Sequence, residues 1–203
     1  MKKKSLLFIL TILLLQGTMG FAQKIKHTSG DLKSIKGISK LNIVYDYSSM
    51  SVGKFDKEED YVSEKVEKYN KKEPGKGDKW KENWVADREN RYQPKFETLI
   101  NKSLRKQNVV VGNFEDAEYT MILKTTHTEL GWNVGVSRVP AHTNMEAIFV
   151  KTGTTEPVLT ITIKKSPGRD AAGFDFDSGV RVQESYAKAG KSLGKFLAKK
   201  SLK

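Results

Sequence analysis

AEYTMILKTTHTEL, residues 117–130, alternates. Tyr119, Met121 and Leu123 fall on one side and Thr120, Ile122 and Lys124 on the other, the two-residue period of a half-buried strand. Two further strands follow at Met145–Lys151 and Val158–Lys164, with Gly153-Thr154-Thr155-Glu156-Pro157 as the hairpin loop between them. Ser166-Pro167-Gly168 is expected to stop the last strand, and residues 168–179 to form a loop. Upstream, Val109-Val110-Val111 is short and β-branched, and Leu41–Tyr47 reads as the first core strand. The polar stretch 24–40 is a lead-in with an edge strand in it.

Before Gln107 the period is helical. Tyr61, Val62, Val66 and Tyr69 share one face of a charged stretch, with acidic residues leading and lysines trailing, as the helix dipole prefers. Residues 73–78 (EPGKGD) form a turn, after which Trp80, Trp84 and Val85 mark a second helix. Pro94 is placed to open a third, whose stripe is Phe96, Leu99, Ile100 and Leu104. At the other end, Val182, Tyr186, Ala189, Leu193, Phe196 and Leu197 form one stripe of a helix running from about Gly179 to Leu202, with Ser178 as its N-cap. Gly190 and Gly194 flank that stripe at a cost in helix propensity, which close packing against a sheet would explain. The expected fold is α+β: a single antiparallel sheet of four to five strands, two long helices on one face, and a helical insertion at 56–92.

The chain has 203 residues, 36 basic and 24 acidic, no cysteine and three histidines. Disulfides, thiolate metal sites, cysteine nucleophiles and a lipid-modified cysteine are therefore excluded. Lys2-Lys3-Lys4, the apolar run Leu6–Leu15 and Gly20-Phe21-Ala22 have the make-up of a cleaved export signal, residues 1–22, ahead of one α+β domain, 23–203. Without the three leading lysines, 33 basic residues face 24 acidic ones. The apolar run is too short to cross a bilayer and no longer one follows, so a periplasmic or secreted protein without a transmembrane span is expected. Thirty of the 36 basic residues are lysine. That favours solubility or loose attraction to anionic surfaces over specific nucleic-acid readout, which leans on arginine.

The order of elements resembles small periplasmic domains such as the N-terminal domain of the Tol translocation protein, and the sheet-and-helix part of curli-secretion-type envelope lipoproteins. The helix SYAKAGKSLGKFLAKK (185–200) and the Pro94-Lys95-Phe96 helix carry the likeness, over roughly residues 40–50 and 94–202. The whole chain is similar to uncharacterised exported proteins of Gram-negative gut bacteria of the Bacteroides type, with the Trp-rich stretch 78–96 as an insert. The resemblance implies assembly or scaffolding work and transfers no catalytic residue.

Motifs for chemistry are sparse. His127 and His142 could ligate a metal with Glu129, but their spacing matches no metal motif, and ordinary edge histidines are the expectation. Asp175 and Asp177 have the look of a calcium loop, yet Tyr186 stands where an EF-hand needs glutamate. Gly190-Lys191-Ser192 and Gly135–Val139 each lack a glycine of the phosphate-loop and nucleophile-elbow patterns. No cofactor is assigned. Trp80, Trp84 and Tyr92 are the candidate docking residues, since aromatics one helical turn apart can stack sugars or grip a partner. The expected function is non-enzymatic binding or scaffolding in the cell envelope, with an envelope protein or surface polymer as partner and oligomeric state open. The alternatives are a hydrolase of an envelope polymer, using convergent carboxylates among Glu129, Glu146, Asp175 and Asp177, or a membrane-surface protein using the basic last helix.

Overall fold

The computed structural model describes residues 23–134, 138–168 and 177–203. Residues 1–22, where an export signal is expected, lie outside them, as do Gly135–Ser137 and Asp175.

β5 (Tyr119–Glu129), β8 (Ala141–Lys151) and β9 (Pro157–Gly168) form the antiparallel meander that the alternation predicts, with β1 (Lys24–Gly30) at the outer edge. The sheet does not stop there. β2 (Lys40–Asp46) pairs with β5 in parallel, β4 (Val110–Gly112) pairs with β2 in parallel, and the short β3 (Ser51–Val52) runs parallel to β5. The order is β1-β9-β8-β5-β2-β4, a seven-stranded mixed sheet, in place of the expected antiparallel sheet of four or five. The reason is the helical connection from β2 to β4: a long crossover delivers the chain back parallel, which a hairpin cannot do. β9 also continues through Ser166-Pro167-Gly168, because these residues pair with Thr143, His142 and Ala141. A two-residue ribbon, β6 (Trp132–Asn133) with β7 (Arg138–Val139), stands apart.

That crossover contains α1 (Glu58–Asn70), α2 (Lys76–Asp87) and α3 (Gln93–Leu104). Pro94 stands in the first turn of α3, as expected, but no loop precedes that helix. Residues Arg88–Tyr92 wind as a π-helix, and the Gln93 N–H donates to the Arg88 carbonyl five residues back, so α2 runs into α3 without a loop. The wider winding lets the chain pass the proline, which has no N–H to donate. α4 (Ser178–Lys200) closes the fold, capped by Asp177 rather than Ser178: its Oδ1 accepts the Gly179 N–H at 2.7 Å.

The main core lies between one face of the sheet and the α3/α4 pair. Leu41, Met121, Leu123, Met145, Phe149 and Ile161 meet Phe96, Ile100, Leu104, Tyr186, Leu193 and Leu197, all buried. The apolar stripe of α4 is therefore spent on the core, and the basic amphipath is not free to lie on a membrane. Gly190 and Gly194 meet α3, not the sheet: a Cβ at Gly190 would run into the Phe96 carbonyl.

Two features shape the remaining surfaces. β4 is an edge, but Asn101 seals it, accepting the Val111 N–H at 2.7 Å and donating to the Val111 carbonyl at 2.8 Å. An amide standing where the next strand would pair blocks strand addition. On β5, the register slips between Thr125 and His127. Strict alternation would send His127 and Glu129 into the core with Met121 and Leu123. The bulge reverses this, leaving Thr125 and Thr128 buried and turning His127 and Glu129 to the open face.

Candidate functional site: a groove along the second helix

A second, smaller core sits under α1 and α2, built from Met50, Val52, Tyr61 and Trp84 with Tyr47, Phe55, Trp80 and Leu130 against it. This corrects the reading of the aromatic residues as one docking surface. Trp84 is 8% exposed, and its indole N–H donates to Glu58 Oε1 at 2.5 Å. Glu58 also holds Arg88, whose guanidinium lies 4.3 Å over the Tyr47 ring. Tyr92 is 5% exposed and stacks on Tyr186 in the main core at 5.1 Å. Helical spacing set the two tryptophans together but said nothing of which side faced inward, nor that Tyr92 would join the main core.

Trp80 is the exception, half-buried at the rim. It stacks on Trp84 at 5.6 Å and 23°, and meets Tyr69 at 5.8 Å. A hollow opens on each side of it. One, about 680 Å³, is lined by Tyr69, Pro74, Lys76, Lys79, Trp80 and Asn83. The other, about 550 Å³, is lined by Trp80, Asn83, Asp87, Asn90, Arg91 and Asp177, with part of Trp84 at its floor. Trp80 and Asn83 wall both, so the two hollows adjoin along the flank of α2 and together make a groove divided at Trp80. From Gly75 to Arg91 it runs about 24 Å at the helical rise.

The far end of the groove is charged and ordered. Arg91 Nε donates to Asp87 Oδ1 at 3.0 Å, and Arg91 Nη1 to Asp177 Oδ2 at 2.6 Å. Burial and the neighbouring Asp177 charge push the Asp87 carboxyl above its ordinary value, against the pull of Arg91. Burial also acts to raise Asp177, but the Arg91 hydrogen bond and the Gly179 N–H outweigh it and hold that carboxyl below. A Cβ at Gly179 would crowd Asp87 Oδ2 and Arg91 Nη1, the far ends of side chains that would have to shift. Asp177 was visible in the sequence as an acidic residue before a helix. Its partners Asp87 and Arg91, 90 and 86 positions away, gave no signal.

A third hollow, about 650 Å³, lies at the start of α1 among Tyr47, Met50, Asp56, Glu58, Glu59 and Asp60. Acidic residues in a first helical turn complement the dipole and need no ligand to explain them. Glu129 and Glu146 sit on the open sheet face and Asp177 caps α4, while Asp175 lies outside the described residues. His127 and His142 do come together, their ring centres 5.7 Å apart. Among the described residues no helix is long and apolar enough to cross a membrane.

No protein-family model matches the chain, and no curated protein matches it in sequence. Among solved structures it is similar to the PelC dodecamer from Paraburkholderia phytofirmans, with 12% identity and a TM-score of 0.38, over 82% of this chain and 98% of that one. A Leu-to-Met variant of the same dodecamer gives 11% identity and 0.38, over 82% and 97%. At that degree of overlap no property of those proteins is carried to this one.

Proposed function

We propose that this is a non-enzymatic binding or scaffold protein of the cell envelope, periplasmic or secreted, which seats an extended envelope polymer in the groove along α2. The observation that carries the reading is the contiguity of two hollows around one exposed tryptophan edge. A compact ligand needs one cavity; a chain of repeating units fits a trough. The lining suits sugars: Trp80 offers the part of its ring left uncovered at the rim, Asn83 and Asn90 offer planar amides that both donate and accept, and Lys76 and Lys79 border one end.

Titration of the intact protein with envelope polysaccharide fragments, followed by tryptophan emission, tests this. Trp80→Ala is expected to weaken binding at least about tenfold, a loss of roughly 1.4 kcal/mol. Trp132→Ala, on the β6–β7 ribbon and 45% exposed, is expected to leave it unchanged. Binding by Trp80→Ala at full strength, or no fragment bound by the parent, removes the proposal.

A hydrolase is the second reading, and the approach of Asp87 and Asp177 in one hollow favours it. Against it, both carboxylates hold the same guanidinium, which braces them as an ion pair instead of leaving one as proton donor. Release of new reducing ends by the parent, lost in Asp87→Asn and Asp177→Asn, would establish hydrolysis.

A further inference from the structure

We propose that His127 and His142, with Glu129 beside them, bind one late first-row divalent cation such as Zn²⁺ on the open face of the sheet. This site is on β5 and β8, away from the groove, and does not depend on the groove reading.

The first argument is distance. Two imidazoles on one tetrahedral cation, each with a metal–nitrogen bond of about 2.0–2.1 Å, have ring centres roughly 5 Å apart. The rings of His127 and His142 are 5.7 Å apart and tilted by 45°. A small side-chain rotation closes the difference. Imidazole nitrogen suits zinc, copper and nickel over calcium or magnesium, which prefer oxygen.

The second argument is orientation. The Ser51 hydroxyl lies 3.2 Å from the Thr126 carbonyl, within donating reach, and 2.8 Å from His127 Nδ1. In the tautomer where Ser51 gives its proton to that carbonyl, its oxygen accepts the Nδ1–H and the neutral ring carries its lone pair on Nε2. A ligating histidine is commonly fixed in this way, through its other nitrogen.

The third argument is the backbone. The β5 bulge that turns His127 outward is matched on the far side of β8. There the register with β9 slips between Thr143 and Met145, and Lys165 adopts φ 52°. Asn144 ties both irregularities, with its carbonyl accepting from the Thr126 hydroxyl at 3.3 Å and its Oδ1 accepting the Lys165 N–H at 2.8 Å. A non-glycine residue with positive φ is costly, and such strain gathers at functional sites.

Glu129 lies directly opposite His142 in the β5–β8 register, with Oε1 accepting the Gly131 N–H at 3.0 Å. Among the described residues no three of the metal-ligating types are already arranged around one point. Glu129 thus completes the site by turning, and water fills what remains. The sequence names these three residues, but only the bulge brings His127 and Glu129 to the open face beside His142.

The test is equilibrium dialysis of the full, chelator-stripped chain against Zn²⁺, with bound metal counted by atomic emission. One Zn²⁺ per chain is expected, with affinity falling at least about tenfold in His127→Gln and in His142→Gln. His27→Gln, on β1, is expected to behave as the parent. Since both histidines are half-buried, a second measurement needs no variant: in ¹⁵N-histidine-labelled parent protein, Zn²⁺ should shift the nitrogen resonances of His127 and His142 and spare those of His27. No zinc bound at tenfold excess, or zinc bound equally by all three variants, overturns the site, as do resonance shifts shared by His27.

Discussion

Asp177 carries two bonds at once: Oδ1 caps α4 through the Gly179 N–H, and Oδ2 takes Arg91 from the π-helical turn. Its carboxyl sits below the ordinary value in the fold, so the folded chain favours the ionised form more than the unfolded chain does. The contribution to stability is then complete above the unfolded value of about 3.9 and is lost as pH falls through the lower folded one. Asp87, raised by burial, works with the opposite sign. Urea midpoints measured from pH 7 down to pH 2 should therefore fall less steeply on the acid side in Asp177→Asn than in the parent. Parallel curves would show that the pair adds nothing. At this scale the sequence is least legible. Ser178 is the cap the sequence suggests and Asp177 the one that forms, Arg91 is recognisable as its partner only once the chain has folded, and the bulge at His127 is invisible to a two-residue period.

Among the elements, the pairing of α3 with α4 shows what a glycine is for. Replacing glycine by alanine inside a helix ordinarily gains about 1 kcal/mol. At Gly190 the new Cβ would meet the Phe96 carbonyl, and at Gly194 it would stand 2.7 Å from Ser103 Cβ and 3.0 Å from the Ile100 carbonyl. Backbone cannot yield as a side chain can, so Gly190→Ala should destabilise by about 1–3 kcal/mol in spite of propensity. Gly194→Ala should cost less, because part of what it meets is a serine side chain. Denaturant unfolding of both variants checks the order, and a stabilised Gly190→Ala would mean the helices can separate freely. Helix stripes and the β5–β8–β9 meander were legible because each element buries one face against a single core, which imprints its own period. The parallel strands were not, since β4 is three residues long and direction leaves no mark on so short a run. The continuity of α2 and α3 was hidden for a different reason: a proline after an apolar stripe usually signals a start, and here the π-helical turn accommodates it.

At the scale of the whole molecule, two kinds of attraction to an envelope polymer have to be told apart. The formal charge is +12, carried mostly by lysine. A lysine-rich surface draws any polyanion, with little regard for shape, and salt weakens that attraction: the screening length is about 10 Å at 0.1 M and ~3 Å at 1 M. The groove is different in kind. Its one arginine is already held by Asp87 and Asp177, and Lys76 by Glu73 and Lys79 by Glu82, at 2.8 and 3.2 Å. What it offers a ligand is a ring face and neutral amides, whose contacts salt does not screen. Groove binding should therefore change by less than about threefold between 0.1 and 1 M NaCl, while adsorption to a simple polyanion disappears over the same range. The comparison needs two titrations of one protein, and Trp80→Ala should abolish only the salt-resistant component. If the whole signal vanishes at 1 M salt, with Trp80→Ala tracking the parent throughout, the attraction belongs to the lysines and the trough is not where the polymer lies.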